Sequence, residues 1–393
     1  MSKKIFMPSE IKYVIERLLQ NGYKAYIVGG CVRDSIMGIE PKDWDITTSA
    51  TPDETMHVFF DHKVIPTGIK HGTVTVCIGE FMTEITTFRT ENGYSDGRHP
   101  DCVSFVRDVK DDLMRRDFTV NAMAYNDKDG LIDHFGGCDE IENKIIRCVG
   151  DAETRFSEDA LRILRALRFA SVLGFEIESD TARAAKNLAY TLNRISKERI
   201  CTELKKLITG KYSADIMKGF ADILNTAIKS ADFSGKADMI ANCEPVLVPR
   251  LALLMENVPA DLVESELAAL RFEKRTINQV IKILPFVISG VKSDRFSVKY
   301  ALYKLGFEDF ALLSKALYAK FDKIDIQDIA NEVILNKECY NISMLDCSGR
   351  DIIELGYKGA EISSALENAL MAVMQGNIEN NKNQIITYIK GSR

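Results

Sequence analysis

The sequence lacks the features that mark membrane, secreted and zinc-binding proteins. No apolar run in its 393 residues approaches the roughly 20 that a membrane-spanning helix needs. The N-terminal segment has no apolar core followed by a small-residue cleavage site, so no secretion signal is predicted. The nine cysteines form no C-x-x-C pair, and their odd number favours reduced thiols. We therefore expect a cytoplasmic protein without disulfides or membrane contact.

Histidine and proline are scarce, and the places where they are missing are informative. All five histidines lie before residue 135 and none pairs with another at helical spacing, so carboxylates would have to hold any catalytic metal ion. No proline occurs from Asp101 through Glu244. Because proline interrupts helices, this gap predicts a change to mostly helical structure in that part of the chain.

The chain contains slightly fewer basic than acidic residues. The formal net charge is −6, which argues weakly against a nucleic-acid partner because domains that bind nucleic acids are usually basic. Residues 151–211 nevertheless carry twelve lysines and arginines against nine acids. An acidic protein can bind RNA through one basic face, so the overall sign excludes little.

The N-terminal part of the chain combines helix and strand patterns. Apolar residues recur at helical spacing over 8–20, and Thr51 followed by proline predicts the start of another helix. Residues 89–102 are predicted to form a polar loop. Runs rich in Val, Ile and Thr predict strands at 25–28, 63–66, 73–78 and 81–88. This order predicts an α+β head with a mostly antiparallel sheet, followed by helices from Asp151 onwards.

The stretch from Ala25 to Thr48 carries the strongest chemical pattern. A short apolar strand is followed by Gly29 and Gly30, and Arg33 lies in the predicted helix after them. Two glycines let a backbone approach a ligand closely, and N–H groups at a helix start suit a phosphate. The return strand is predicted to open at Asp43.

Two aspartates at the start of that return strand favour a metal site. Side chains alternate along a strand, so Asp43 and Asp45 would project to one side while Trp44 points to the other. Their charges repel unless a hard divalent cation lies between them, which indicates a magnesium–nucleotide site. Glu84, on another predicted strand, is a third candidate, although an exposed strand acid without a catalytic role explains it equally well.

An arginine pair precedes an apolar segment at 115–124. The planar fork of Arg116 suits phosphate oxygens, so we predict that Arg116 binds a triphosphate. Asp117 could orient Arg116 or cap the following helix. Arg115 is better explained as a charged helix end.

A further motif runs from Glu158 to Arg168. Asp159 and Arg162 are three residues apart, which would place them on one helix face with Arg165 continuing it. They could simply form a salt bridge on a solvated helix. As a functional pair they match the pairing edge of cytosine and adenine, because a carboxylate accepts from the exocyclic amine and a guanidinium donates to the ring nitrogen. Guanine and uracil present a carbonyl and an N–H there, so the pair would select C and A.

Together these motifs resemble the class II tRNA nucleotidyltransferases, which are the CCA-adding enzymes, with the bacterial poly(A) polymerases as relatives. The last part of the chain, 342–376, resembles the tail of bacterial CCA-adding enzymes less distinctively, and 210–340 agrees only in length and helicity. The matching segments occur in order as GGCVRD (29–34), DWD (43–45), RRDFTVNAMAY (115–125), DHFGG (133–137), EDALRILR (158–165) and RISKERI (194–200).

The resemblance implies a DNA polymerase β-like nucleotidyltransferase head with a mixed, mostly antiparallel sheet, followed by an all-helical neck, body and tail. The implied boundaries are 1–150 for the head, 151–210 for the neck, 211–290 for the body and 291–393 for the tail. The body and tail would hold tRNA. The absence of any His-Asp dipeptide indicates that the HD phosphohydrolase domain of some family members is missing.

The resemblance also implies roles for individual residues. Asp43 and Asp45 would bind Mg²⁺ and act in catalysis, with Glu84 as a further catalytic candidate. Asp159 and Arg162 would serve as an amino-acid template for the incoming base. The remaining contacts with the nucleotide would come from Gly30, Arg33, Arg116, Arg165 and Arg168.

The implied reaction is the template-independent addition of CCA to the 3′ end of tRNA from CTP and ATP, with release of pyrophosphate. An enzyme that adds only the terminal A and a short poly(A) polymerase are alternatives with the same head chemistry. Enzymes that add only CC are expected to lack a loop that 86–101 matches here, whereas A-adding enzymes keep it.

Two alternatives belong to other classes of protein. A non-catalytic RNA-binding protein built on a decayed head is disfavoured by the intact D-x-D pattern and the paired arginines. A small-molecule nucleotidyltransferase would need neither a base-reading pair nor the long helical remainder. The oligomeric state stays open.

Overall fold

A computed structural model describes residues 4–93, 102–321 and 326–391. The chain falls into two units: residues 1–212 with 222–227 form the first, and residues 213–221 with 228–393 form the second. The predicted division into head, neck, body and tail is finer than this one and stays a prediction. None of the helices among the described residues combines the length and the apolar character that crossing a bilayer would require.

The first unit combines a mixed sheet with helices. Its elements in chain order are α1 (Ser9–Gln20), β1 (Ala25–Val28), α2 (Gly30–Ile36), β2 (Ile46–Thr48), α3 (Pro52–Val58), β3 (Lys63–Gly68), β4 (Thr73–Ile78), β5 (Phe81–Thr87), β6 (Arg89–Asn92), β7 (Cys102–Phe105), α4 (Val109–Met114), β8 (Met123–Asn126), β9 (Gly130–Asp133), α5 (Gly137–Asn143), β10 (Ile145–Ile146), α6 (Ala152–Glu158), α7 (Leu161–Leu173), β11 (Glu176–Ile177), α8 (Ser179–Leu188) and α9 (Lys197–Ile208).

A seven-stranded sheet in the order β3-β4-β5-β2-β1-β8-β9 forms the centre of the head. Neighbouring strands run antiparallel except β2 and β5, which pair in parallel with Ile46 beside Ile85. The central strand β1 is buried on both faces. Ile27 packs into the same apolar cluster as Ile46 and Ile85 on one face, whereas Tyr26 and Val28 on the other face pack into a second cluster. The predicted α+β fold with a mostly antiparallel sheet is confirmed.

Several predicted elements are found with small changes of boundary. Thr51 caps α3 as predicted: its hydroxyl accepts a hydrogen bond from the Glu54 N–H at 3.3 Å, and the Glu54 carboxylate accepts from the Thr51 N–H at 2.7 Å. The predicted loop at 89–102 is wrong at its ends, where β6 and β7 pair with each other. Within the segment 86–101 that bears on A addition, residues 94–101 lie outside the described residues.

The second unit is helical in its described residues, and its last helices share an apolar cluster that includes Ile352, Ala369, Leu370 and Ile385. The long helix α10 is distorted at Phe220, where the backbone leaves helical geometry. After α9 the helices follow each other as α10 (Ser213–Asn225), whose residues 222–225 belong to the first unit, and then α11 (Ala237–Asn242), α12 (Leu247–Leu254), α13 (Ala260–Ala269), α14 (Lys274–Ser289), α15 (Arg295–Leu305), α16 (Phe307–Lys320), α17 (Gln327–Leu335), α18 (Gly349–Glu354), α19 (Ala360–Met374) and α20 (Lys382–Gly391).

Candidate active site

The turn after β1 has a shape that requires glycine. Gly29 has a φ of +81°, a backbone conformation that other residues rarely adopt. A Cβ atom at Gly29 would also lie 3.1 Å from Nη1 of Arg116. At Gly30 a Cβ atom would lie 3.7 Å from Nη2 of Arg33, which is ordinary contact. The glycine turn therefore lies against two of the arginines that the sequence assigns to nucleotide binding.

Asp43 and Asp45 lie immediately before β2, so the prediction that they open this strand is wrong. The segment is nevertheless extended beside β1, because the Asp45 carbonyl accepts a hydrogen bond from the Val28 N–H at 3.0 Å. Both aspartates present a large part of their surface to solvent, although neighbouring atoms partly shield the Asp45 carboxyl from water. Trp44 packs against the apolar core of the head, and its carbonyl accepts from the Thr83 hydroxyl at 2.9 Å. The burial pattern thus agrees with the predicted alternation of side chains.

The two carboxylates fit a divalent cation. Desolvation raises the pKa of Asp45, the neighbouring Arg116 lowers it and the charge on Asp43 raises it, so that the pKa lies above its ordinary value. A hard cation between two such oxygen donors would relieve their repulsion. In the described residues, no group of three or more His, Cys, Asp or Glu side chains is arranged to hold a metal ion. Mg²⁺ in proteins is often bound by one or two carboxylates, with water and phosphate oxygens as its other ligands, so a pair of aspartates fits such a site.

Glu84 lies on β5, exposed and opposite Thr75 of β4. Because Ile85 stands beside Ile46 in the parallel pair of β2 and β5, Glu84 occupies the position next to that of Asp45. The described residues contain no three-carboxylate group that would include it. A catalytic role for Glu84 stays a prediction.

Arg116 lies among Gly29, Asp45 and Asp112. Its Nη2 donates to Oδ2 of Asp112 at 3.3 Å, and Asp112 is fully buried and also accepts from Nε and Nη2 of Arg115 at 3.0 and 2.8 Å. Nε of Arg116 is buried and has no hydrogen-bond partner among the described residues. An unmatched buried donor costs about 1–3 kcal/mol, so this N–H is suited to an anionic ligand.

Three of the predicted nucleotide-binding arginines meet at one aromatic ring. The Cζ atoms of Arg33, Arg165 and Arg168 lie 5.3, 5.4 and 3.8 Å from the centre of the Phe169 ring. Arg33 belongs to α2 in the head, whereas the other two arginines and Phe169 belong to α7. Contacts of this kind between a cation and an aromatic face are attractive. The structure therefore gathers arginines from two separate motifs into one group.

The ion pair between Asp117 and Arg165 connects the head motif to α7. Nε and Nη2 of Arg165 both donate to Oδ2 of Asp117, at 2.8 and 2.5 Å, while Oδ1 accepts from the Phe118 N–H at 2.9 Å. Burial alone would raise the pKa of the Asp117 carboxyl, but Arg165 beside it holds that pKa below its usual range. Asp117 therefore orients Arg165, not Arg116.

The other two arginines of the group also have charged partners. Nε and Nη2 of Arg33 donate to Oδ1 of Asp34 at 2.9 and 2.7 Å, and Nη1 donates to Oδ1 of Asn121 at 2.6 Å. Nε of Arg168 donates to Oε2 of Glu203 at 2.6 Å. These contacts hold each guanidinium in one orientation before any ligand arrives.

Asp159 and Arg162 do not share a helix face, which corrects the sequence prediction. Asp159 follows α6 in an extended conformation, and α7 begins only at Leu161. Its carboxylate accepts two hydrogen bonds from Arg199 of α9, at 3.2 and 2.7 Å, and one from the Leu161 N–H at 3.1 Å. Arg162 instead pairs with Glu158. Arg199 is thus the direct partner of the predicted base-reading acid.

Models of three domains match the chain. A poly A polymerase head domain matches residues 25–147, a domain described as "Probable RNA and SrmB- binding site of polymerase A" matches residues 174–222, and tRNA nucleotidyltransferase domain 2 matches residues 250–389. The first covers the glycine turn, the carboxylates and Arg116.

Curated relatives match nearly the whole chain. The CCA-adding enzyme of Lactobacillus delbrueckii subsp. bulgaricus is 37% identical over 399 residues, covering 96% of each chain. That of Staphylococcus epidermidis is 36% identical over 407 residues, covering 99% of this chain and 98% of its own. This chain belongs to the CCA-adding enzyme family.

A solved structure of a CCA-adding enzyme has the same fold. The crystal structure of the Bacillus stearothermophilus CCA-adding enzyme in complex with CTP is 32% identical, covers 98% of both chains and superposes with a TM-score of 0.82. Membership of a nucleotidyltransferase family implies the use of a divalent metal ion, which agrees with the carboxylate pair described above.

The sequence did not reveal several residues that orient the side chains of the candidate active site. Arg199 lies within the RISKERI motif that the sequence analysis identified, but its pairing with Asp159 was not predicted. Asp112 and Glu203 are buried acids on helices, and a buried charge in a predicted helix is a signal for a specific partner. Phe169 follows Arg165 by four residues, a spacing that places both on one side of a helix.

Breaking the Asp117–Arg165 pair should destabilise the head. In Asp117→Asn the loss of a buried charge partner should lower the free energy of unfolding by about 3 kcal/mol at pH 7. The lowered pKa of Asp117 means that its contribution is present above about pH 4, the unfolded value, and disappears only as the pH falls through the folded value. Urea unfolding followed by the fluorescence of Trp44, the single tryptophan, measures this difference.

The expected difference between wild type and Asp117→Asn is constant from pH 7 to pH 5 and shrinks only below about pH 4. The control is Asp180→Asn, because Asp180 pairs with Arg183 on the surface, with both side chains 66% exposed. This control should change the free energy of unfolding by less than about 1 kcal/mol. Equal unfolding curves for wild type and Asp117→Asn at pH 7 would contradict the prediction.

Proposed function

We propose that this protein adds CCA to the 3′ end of tRNA without a nucleic-acid template, using CTP and ATP and releasing pyrophosphate. The observation that carries this proposal is the buried Nε of Arg116, which has no hydrogen-bond partner within the described chain and lies beside Gly29 and Asp45. An unmatched cationic donor beside one of the two candidate metal-binding carboxylates suits a metal-bound triphosphate. Relatives at 36–37% identity over nearly the whole chain are CCA-adding enzymes.

Asp43 and Asp45 would hold Mg²⁺ in this reaction. Magnesium is commonly bound by one or two carboxylates together with substrate phosphates and water, which fits a site with two protein ligands. When bound, the ion would lower the pKa of the attacking hydroxyl and neutralise charge on the triphosphate. Glu84, on the neighbouring strand, would be the third acid of the catalytic site.

The arginines would bind the triphosphate and orient its α-phosphate. The 3′-hydroxyl oxygen of tRNA attacks the α-phosphorus in line, the bond to the bridging oxygen breaks, and pyrophosphate leaves. Arg116 would donate to the phosphates beside the Gly30 turn. Arg33, Arg165 and Arg168 would hold the same group from the other motifs, and the fixed orientation of each fork means that little reorganisation is needed on binding.

Asp159 and Arg162 would read the base. A carboxylate offers about four acceptor sites, two on each oxygen. On Asp159, Oδ1 accepts from Arg199 and from the Leu161 N–H, and Oδ2 accepts a second hydrogen bond from Arg199. Oδ2 can therefore accept one more hydrogen bond, which the exocyclic amine of cytosine or adenine can donate. Arg162 would donate to the adjacent ring nitrogen once it turns from Glu158.

The remaining predicted features support the same assignment. The basic segment 151–211 would assist tRNA binding, and the reduced thiols expected from the sequence favour a cytoplasmic reaction. An enzyme that adds only the terminal A and a short poly(A) polymerase share the head chemistry. The near full-length similarity to CCA-adding enzymes favours CCA addition over both alternatives.

Product length distinguishes these activities directly. Wild-type protein is supplied with tRNAs that end before CCA, after C and after CC, each with CTP alone, ATP alone or both, and the products are sized. We expect the first tRNA to gain three nucleotides only when both nucleotides are present. Extension of the CC-ended tRNA alone would identify an A-adding enzyme, and long ladders would identify a polymerase that adds poly(A).

Removing either carboxylate should stop incorporation. Asp43→Ala and Asp45→Ala should each reduce kcat about 1,000-fold or more, since a metal ion contributes several kcal/mol and each 1.4 kcal/mol is tenfold in rate. Binding of tRNA, measured by filter retention, should stay within about twofold because these residues would not contact tRNA directly. Asp53→Ala, an exposed acid at the start of α3, is the matched control. Turnover retained in either variant would refute the assignment.

Loss of the base-reading acid should change selectivity more than chemistry. Asp159→Ala removes the acceptor for the exocyclic amine, so the preference for CTP and ATP over UTP and GTP should fall by about tenfold or more, corresponding to one lost hydrogen bond to a charged group. The measurement compares kcat/KM for the four nucleotides. Asp180→Ala, in the same neck, serves as the control. Unchanged discrimination in Asp159→Ala would mean that another group reads the base.

A further inference from the structure

The ring of Phe169 is the point at which cations from the head and from α7 meet. Its centre lies 3.8 Å from Cζ of Arg168, and 5.3 and 5.4 Å from those of Arg33 and Arg165. The ring is itself held in place, because it stands nearly perpendicular to the Phe118 ring at 78°, with 5.7 Å between centres. Phe169 is only 7% exposed and Phe118 is fully buried.

Three guanidinium groups this close together repel one another. Burial lowers the pKa of Arg168, Glu203 raises it, and the charge on Arg165 lowers it, so that the pKa lies below its ordinary value. The negative face of an aromatic ring attracts cations without occupying their N–H donors. A ring that contacts all three arginines therefore keeps them together while N–H donors stay available for a ligand.

Arg168 keeps N–H donors that a nucleotide could use. Its Nε is bound to Glu203, but its two terminal nitrogens have no hydrogen-bond partner among the described residues. Of the three arginines, Arg168 also lies closest to the ring. An aliphatic side chain of similar volume would fill the same space but would offer the guanidinium no electrostatic attraction.

We propose that Phe169 is a positioning residue for the nucleotide triphosphate, which acts by holding Arg33, Arg165 and Arg168 as one group before the nucleotide binds. This inference rests on the proposed function and deepens it. Within the described residues, the cations at the Phe169 ring are the three arginines assigned to the phosphates. Its contribution should therefore be the same for CTP and ATP, and for inorganic triphosphate, which has no base.

The test compares Phe169→Leu and Phe169→Tyr with wild type. In Phe169→Leu the KM for CTP and the KM for ATP should rise by the same factor, about tenfold. The kcat should stay within about twofold of wild type, and the preference for CTP and ATP over UTP and GTP should be unchanged. The Kd for inorganic triphosphate, measured by isothermal titration calorimetry, should rise by that factor as well. Phe169→Tyr keeps an aromatic face, so its KM for both nucleotides should equal that of wild type.

Phe156→Leu is the control for lost packing, because Phe156 is fully buried in α6 and has no recorded cation contact within the described residues. Equal KM changes in Phe156→Leu and Phe169→Leu would overturn the proposal, as would a change confined to kcat or to one nucleotide. If Phe169→Leu fails to fold, as judged by Trp44 fluorescence, 3,4,5-trifluorophenylalanine at position 169 keeps the volume but weakens the ring face. It should raise the KM, and an unchanged KM would overturn the proposal.

The triphosphate measurement separates this inference from the proposed function. Wild-type protein that binds inorganic triphosphate but adds no CCA to tRNA would refute the function, and the position 169 variants would still decide the role of the ring. Wild-type protein that adds CCA while Phe169→Leu binds triphosphate normally would refute the ring's role and leave the function intact.

Discussion

The ion pair between Asp117 and Arg165 is the contact on which the geometry of the site depends. A buried carboxylate is unfavourable unless a charge partner accompanies it, so Asp117 at the end of the head's arginine motif requires a cation from elsewhere. Arg165 meets this requirement with two donors at 2.8 and 2.5 Å. The pair fixes α7 against the head, and the next turn of α7 then brings Phe169 to Arg33.

The head was largely predictable because its signals are local. Strand alternation, turn glycines and the Thr51 cap depend on neighbouring residues, and the structure contains them with boundaries shifted by one or two positions in most cases. The D-x-D segment shows the limit of such reasoning. Its side chains alternate as predicted and the Asp45 carbonyl accepts a hydrogen bond from β1, but strand β2 itself begins only at Ile46, because strand boundaries depend on partners that a local pattern does not contain.

The contacts of residues 151–210 were less predictable because their partners are distant in sequence. A spacing of three residues between Asp159 and Arg162 predicts a helical pair only if both residues are helical, and Asp159 is not. Arg199, forty residues further along, takes the carboxylate instead. The same reasoning explains why Glu203 and Phe169 went unnoticed. Glu203 lies on a different helix from its partner Arg168, and Arg33 reaches Phe169 from a different motif, so residue spacing reveals only the contacts that Phe169 makes within its own helix.

The charge balance of the arginine group affects how a nucleotide arrives. Three guanidinium groups are matched by three carboxylates, those of Asp34, Asp117 and Glu203, so the group has no formal excess charge. A balanced cluster projects little electric field beyond a Debye length of about 10 Å at moderate salt. Capture of nucleotides by this group should therefore depend on short-range fit and be only weakly affected by ionic strength, whereas the contacts of a basic face with the tRNA backbone would weaken steeply as salt rises.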